Sequence, residues 1–272
     1  MAAASSISWG VAPGVDQGVA VSLIFSSFNE VNARKLFRSL VASSPNQVAR
    51  SAREHARLKL VGMTAQLKDP LVWIDCEMTG LDVHKDALVE VGVVITDADL
   101  KIVDKGIDVL IKPPAAALEN MNDFVRNMHT TSGLLDELEG GLSLEEATGQ
   151  VLDYIRRFVP EQGKALLAGN SVGTDKMFLE AYMPSVIDHL HYRIVDVSSV
   201  KELAKRWHRR AFENAPVKHG GHRALADILE SIQELEYYRR VLFPAEPVTR
   251  AQAKAALRDA LALKIPAIGE EE

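Results

Sequence analysis

Apolar residues along this chain first fall into a regular pattern at Leu71. Leu71 to Cys76 (Leu-Val-Trp-Ile-Asp-Cys) reads as a buried strand closed by a Thr79-Gly80 turn. A second apolar, β-branched run covers Val89 to Thr96. After the turn-like Asp97-Ala98-Asp99, Ile102 to Ile111 alternates enough to be a third strand paired as a hairpin. The period then changes. Leu144 to Phe158 has helical spacing, with Ser143 as N-cap and Glu146 three residues on, the signature of a capping box. Ala165 to Ala168 is a short strand, Thr174 to Met183 a helix stopped by Pro184, and Ile194 to Val197 another strand. Ser198 to Trp207 and Arg223 to Leu242 follow as helices. Three strands in a row, then alternating helices and strands, indicate an α/β domain with a mixed sheet. Pro244 to Lys264 adds an Ala-rich helical stretch and Glu270 to Glu272 an acidic tail, both read as appendages.

Composition sharpens the picture at the two ends. Residues 1–62 hold ten serines, seven Lys or Arg (all from Arg34 onward) and three acidic residues. A Ser-rich, Arg-rich and acid-poor segment has the look of an organellar transit peptide; a leader upstream of the true start is the alternative. Met63 opens a short polar lead into the first strand and is a plausible initiator. The expected organisation is therefore a poorly ordered extension (1–62), a globular domain (63–243) and a helical appendage with its tail (244–272). A hydrophobic content of 47% with 25% charged residues suits a globular protein with a full core. The formal net charge of -6 weighs against a protein that coats long nucleic acid, since such binding rests on many phosphate contacts. Cys76 is the only cysteine, which excludes an internal disulfide and a Cys-cluster zinc site and fits a reducing compartment. No uninterrupted apolar stretch reaches the ~20 residues of a membrane span. The expected location is the cytoplasm, or an organelle if residues 1–62 act as a transit peptide.

The candidate chemistry lies in carboxylates. Asp75 and Glu77 are two apart at the end of the first strand, so alternation puts both on one face of the sheet, where they can bind a metal together. Two negative charges at the end of a buried strand are costly unless a cation or hydrogen-bond donors offset them. Asp175 opens a helix after Gly169-Asn170-Ser171-Val172-Gly173, and Asp227 lies one turn into the last core helix. Each alone reads as simple helix-terminus stabilisation or a solvated acid. His222 follows Gly220-Gly221 and precedes that last helix, where it reads as a cap or a base.

Taken together, Asp75, Glu77, Asp175, His222 and Asp227 form a four-acid set with a histidine five residues before the last acid. This set resembles the DnaQ-like exonucleases of the Asp-Glu-Asp-Asp type, histidine subclass. The segments Val72 to Leu81, Ala168 to Ser171, His191-Tyr192-Arg193 and His222 to Ile228 look like the oligoribonuclease family in particular, and the similarity runs from about Leu71 to Phe243. The resemblance implies a ribonuclease H-like fold with a central mixed five-stranded sheet flanked by helices. It also implies 3′-to-5′ hydrolysis of short single-stranded RNA, especially dinucleotides, with two divalent cations, Mg²⁺ or Mn²⁺. Asp75, Glu77, Asp175 and Asp227 would hold the ions, Asp75 bridging them, and His222 would take the proton of the attacking water.

The same resemblance assigns substrate contacts: Leu81 as a wedge against the bases, His129 and Ser171 on the backbone or terminal phosphate, and Phe124 for stacking where the family commonly has a tryptophan. Tyr192, Arg193 and Ser198 are expected to reach the neighbouring subunit's site, which implies a homodimer; no other stable protein partner is inferred. An arginine fork suits a 5′ phosphate, since it holds two oxygens in fixed geometry. Rival readings are a proofreading or tRNA-trimming exonuclease sharing the same five residues, and a silent binding protein, which would be expected to have lost a ligand. Zinc hydrolase chemistry fits poorly, because His189 and His191 stand two apart with no partner acid motif.

Overall fold

The computed structural model describes residues 67–218 and 221–262. The expectations for residues 1–62, for Met63 and for the acidic tail lie outside the described residues. Five strands, β1 (Leu71–Met78), β2 (Leu88–Thr96), β3 (Ile107–Leu110), β4 (Leu166–Gly169) and β5 (His191–Asp196), make one sheet in the order β3-β2-β1-β4-β5. β1 pairs antiparallel with β2 and parallel with β4; β2–β3 is antiparallel and β4–β5 parallel, so the sheet is mixed, as expected. The helices that matter to the site are α1 (Ala115–Asn120), α2 (Asp123–Thr131), α3 (Leu134–Glu137), α4 (Leu144–Phe158), α5 (Gly173–Tyr182), α6 (Pro184–His189), α7 (Val197–Trp207), α8 (Arg209–Glu213) and α9 (Ala224–Leu242). A last helix, α10 (Arg250–Leu261), falls within the expected appendage. Among the described residues no helix is long and apolar enough to cross a membrane.

Both faces of the sheet are covered, because the apolar residues of β1 and β2 do not alternate with polar ones along most of their length. Val72, Ile74, Cys76, Val91, Val93 and Ile95 pack into one core with Val151 and Ile155 of α4, Phe178 and Leu179 of α5 and Val186 of α6. Trp73 and Val94 face the other way, against Val197 of α7 and Ile228 and Ile232 of α9. The buried indole of Trp73 donates to Thr96 Oγ1 at 3.0 Å, so the polar atom that accompanies this large ring into the core is satisfied.

α4 has the expected bounds, and its capping box is formed as the local signal requires: Ser143 Oγ accepts the Glu146 N–H while the Glu146 carboxylate accepts the Ser143 N–H. The third strand is shorter than its alternation suggests, since pairing runs only through Ile107–Leu110, with single bridges from Ile102 to Thr96 and from Ile111 to Leu142. Gly106 interrupts it with φ +80°, a conformation L side chains rarely adopt, and a Cβ there would stand 2.8 Å from the Val93 carbonyl oxygen. β1 runs two residues further than Cys76. β5 begins three residues before Ile194 and stops at Asp196, which caps α7 by accepting the Ser198 N–H. Pro184 does end α5 and also opens α6, where its fixed φ suits the first turn. The helices α1, α2 and α3 between β3 and α4 are short, 6, 9 and 4 residues, and have no counterpart in the sequence reading.

Candidate active site

Side-chain parity on the central strand sets the site. Trp73, Asp75 and Glu77 project toward α9, and their antiparallel partners on β2 are Val94, Gly92 and Glu90. The face thus changes from apolar to acidic over four residues. Gly92 is what lets α9 reach it: a Cβ at Gly92 would lie 2.8 Å from Ala224 Cβ and 3.0 Å from the Leu225 amide nitrogen. The first turn of α9 therefore rests on the backbone of β2 beside Asp75, and it carries Asp227.

Asp175 comes in from the other helical layer. β4 pairs with β1 only through Leu71–Trp73, so the Cys76 N–H beyond that point lacks a β4 partner. Asp175, in the first turn of α5, accepts it on Oδ1 at 2.9 Å. One ligand atom each from Glu77, His222 and Asp227 lie within 4.8 Å of one another. His222 is exposed and has φ +46°, Glu77 is buried, and Asp75 and Asp227 are half-buried.

The electrostatics are those of crowded acids. Burial, then the charges of Asp175, Glu77 and Asp227, pushes the Asp75 carboxyl up to about 9. Burial, then Glu90 and Asp227, pushes Glu77 up to about 8. Burial raises Asp175 to about 6 against the hydrogen bond from Cys76, and burial raises Asp227 as well. Four carboxyl groups that all hold their protons too tightly lack positive charge. A divalent cation with oxygen ligands supplies it, and the donor set of carboxylate oxygens with one imidazole suits such an ion.

The five residues expected to carry the chemistry are thus gathered at one end of β1. The expected substrate contacts are placed unevenly. Leu81 and Phe124 are exposed at 74% and 78%, Leu81 three residues past the end of β1. Ser171, with φ +59°, and Ser198 are joined through one carboxylate: Asp196 accepts the Ser171 N–H at 2.9 Å and the Ser198 hydroxyl at 2.7 Å. Asp196 is close enough to Asp175 to raise it, so this pair borders the acids. Tyr192 and Arg193 instead lie exposed on the edge strand β5, the Arg193 Nε donating to the Tyr192 hydroxyl at 3.0 Å. His129 departs from the expected substrate contact. It has no exposed surface; its Nε2 donates to the Met78 carbonyl at 2.8 Å and its Nδ1 lies 4.0 Å from Glu77. Burial lowers its pKa, and the ring meets the site through Glu77 rather than through solvent. His189 is likewise a core histidine, bonded to the Val159 carbonyl at 2.8 Å.

Three residues escaped the sequence reading. Gly92 and Asp196 left no local sign. Glu90 did: it is the one charged residue in the run Leu-Val-Glu-Val-Gly-Val-Val-Ile-Thr, every position of which is buried. A carboxylate inside such a run needs a partner, and that demand was visible.

Comparison with known proteins agrees with this geometry. The RNase_T family model, described as Exonuclease, matches residues 72–235. An oligoribonuclease of Leifsonia xyli subsp. xyli is 62% identical over 193 residues, covering 71% of this chain and 93% of the relative. One of Cutibacterium acnes is 58% identical, covering 68% and 94%. Among solved structures, the metal-free form of an E. coli Exonuclease I complex with single-stranded DNA superposes with a TM-score of 0.50 at 11% identity, covering 64% of this chain and 40% of that one. The chain spans only about two fifths of that structure, which shares the fold alone. Fold, acid cluster and family match define a nuclease of the exonuclease class with a ribonuclease H-like fold. Within that class, identity over nearly the full length of the relatives is decisive: the chain belongs to the oligoribonuclease family.

Proposed function

We propose that this enzyme releases mononucleotides from the 3′ end of short single-stranded oligoribonucleotides, dinucleotides above all, with two divalent cations, Mg²⁺ or Mn²⁺. The observation that carries the reading is the gathering of Asp75, Glu77, Asp175, Asp227 and His222 at one end of the central strand. The names of the close relatives supply the substrate class. Asp75, Glu77, Asp175 and Asp227 would hold the cations. Bound there, the cations supply Lewis acidity for the attacking water and for the charge that develops on the leaving 3′ oxygen.

The protein's own part is to place a base and to grip a short strand. His222 accepts the proton of the attacking water, a role for which imidazole is suited near neutral pH. Its exposure and its place beside Asp227 and Glu77 leave it open to that water. Leu81 and Phe124 offer apolar surface to the bases, Leu81 as a wedge and Phe124 as a stacking face smaller than a tryptophan. Ser171 lies beside the acids to meet the phosphate backbone. Tyr192 and Arg193 act across a homodimer, Arg193 on the substrate's 5′ phosphate, while Ser198, expected to join them, is held by Asp196 beside the acids of its own subunit. The dimer reading is supported by the exposure of Tyr192 (75%) and Ile194 (38%) on the edge strand β5. A cytoplasmic setting is part of the same proposal, consistent with a single, unpaired cysteine.

The test is a parallel hydrolysis assay on a 5′-phosphorylated diribonucleotide and a long RNA, with Mn²⁺ or Mg²⁺ and with chelator. Rapid, cation-dependent loss of the dinucleotide with slow attack on the long strand is expected, and His222→Ala should lower turnover by about 10²–10⁴-fold. Preference for the long strand would sink the substrate assignment. Full turnover by His222→Ala with metal binding intact would remove the base.

A further inference from the structure

Lys218 and Arg223, on either side of His222 in the sequence, are each paired with a different buried carboxylate. On the C-terminal side of His222, Arg223 directs Nε to Glu90 Oε1 at 2.8 Å and its Nη groups to Glu137 at 3.1 and 3.3 Å, with Asp108 at 3.6 Å. The other oxygen of Glu90 accepts the Ala224 N–H at 2.9 Å, so one fully buried side chain binds both the arginine and the first amide of α9. On its N-terminal side, Lys218 reaches Glu234 at 3.5 Å and the Ser231 hydroxyl at 3.2 Å. Glu234 is 1% exposed and is also met by Lys201 at 3.1 Å and by the Asn170 amide at 3.4 Å.

Exposed ion pairs contribute little, but these carboxylates are out of water and tolerable only because they are paired. Such pairs specify geometry: the arginine fork admits few arrangements, and Glu90 is anchored on β2 directly opposite Glu77. The position they surround is itself unusual. His222 has φ +46°, a setting that a residue other than glycine keeps only where its neighbours hold it. Neither Glu90 nor Glu234 is a ligand or a base in the reaction as described above, although Glu90 raises Glu77 and the cations that pair with the two carboxylates lie near enough to lower Glu77, Asp75 and Asp227.

We propose that Glu90 and Glu234, acting through Arg223 and Lys218, are positioning residues that hold His222 over the acid cluster. The inference rests on the reading of His222 as the base. A base displaced by about 1 Å from its proton loses as much as a hundredfold in rate, so loosening either anchor lowers turnover while leaving the ground-state grip on substrate alone.

The experiment combines kinetics with a double-mutant cycle. Arg223→Lys, Arg223→Gln and Lys218→Met are each made alone and in a His222→Ala background, and hydrolysis of a 5′-phosphorylated diribonucleotide is followed with Mn²⁺. In the native background kcat is expected to fall about tenfold to a hundredfold with KM within about twofold. In the His222→Ala background the same substitutions are expected to change the residual rate by less than about twofold, because the group they position is already gone. Amide exchange at residues 221–224 should quicken in the single variants. Equal losses in both backgrounds would overturn the proposal, since the anchors would then be acting on the metal site or on folding. Unchanged kcat would overturn it as well. Arg223→Lys keeps a cation on Glu90 and decides the matter if Arg223→Gln does not fold. If His222→Ala alone costs nothing, it is the base assignment that fails, and the two failures are thereby told apart.

Discussion

On the face of the sheet that meets α4, α5 and α6, the β1–β2 pairs Val72–Ile95, Ile74–Val93 and Cys76–Val91 are apolar from end to end. On the opposite face the same two strands present Trp73–Val94, then Asp75–Gly92, then Glu77–Glu90. The residues that stabilise the protein and those proposed to carry its chemistry are therefore separated by one position along a strand and by the thickness of the sheet. The first face is closed and dry. The second places like charges side by side, a poor arrangement for folding that becomes useful when cations arrive. Stability and activity should accordingly respond to different substitutions.

The sharpest break in that comparison is Asp75→Asn. Loss of one charged group from a preorganised site costs about 10²–10³-fold in turnover, and a loss of that order is expected in the dinucleotide assay. The same variant should melt higher than the native protein in chelator, because the cost of burying the Asp75 charge, and then its crowding with Asp175, Glu77 and Asp227, is relieved. A lower metal-free melting temperature would contradict the electrostatic account. On the other face, Ile155→Ala should behave in the opposite way. Ile155 has no exposed surface, and its truncation is expected to cost about 2–5 kcal/mol in urea unfolding with turnover per folded molecule unchanged.

A smaller effect separates the faces by pH. Asp75 rises from 3.8 to about 9 on folding and Glu77 from 4.5 to about 8, so between those limits the folded chain holds protons that the unfolded chain releases. Metal-free stability should therefore fall as pH rises through the range from about 4 to about 9. Excess Mn²⁺ should flatten or reverse that slope, since cation binding replaces the protons. Melting curves in chelator and in Mn²⁺ measure it. A metal-free stability that instead rises from pH 5 to 8 would mean the acids are not crowded as described.

Legibility in the sequence followed the range of the forces involved. α4 could be bounded to the residue because the Ser143–Glu146 reciprocal bonds are local. The pairing of β2 with β3 was equally visible, but the third strand was expected from Ile102 and begins only at Ile107, because the approach of Gly106 to β2 limits it. The four acids and His222 were legible as a set through their order and spacing, although none was convincing alone. The structure explains why: Asp175 answers the Cys76 amide ninety-nine residues away, and Asp227 depends on a glycine in another strand. The burial of His129 was hidden for the same reason. Its partners, Met78 and Glu77, lie about fifty positions earlier, and its amphipathic helix α2, capped by Asn122, spans only 9 residues.

The contact between Gly92 and Ala224 has a consequence for how such a site drifts. Because α9 is seated on bare backbone, Asp227 within it and His222 just ahead of it share a single datum. An error at that seat is inherited by both and in the same direction. Alignment of His222 with the acid beside it is thus adjusted by translating a whole helix, and a side chain at position 92 would shift both residues at once, a misfit that no single compensating change at either of them would undo.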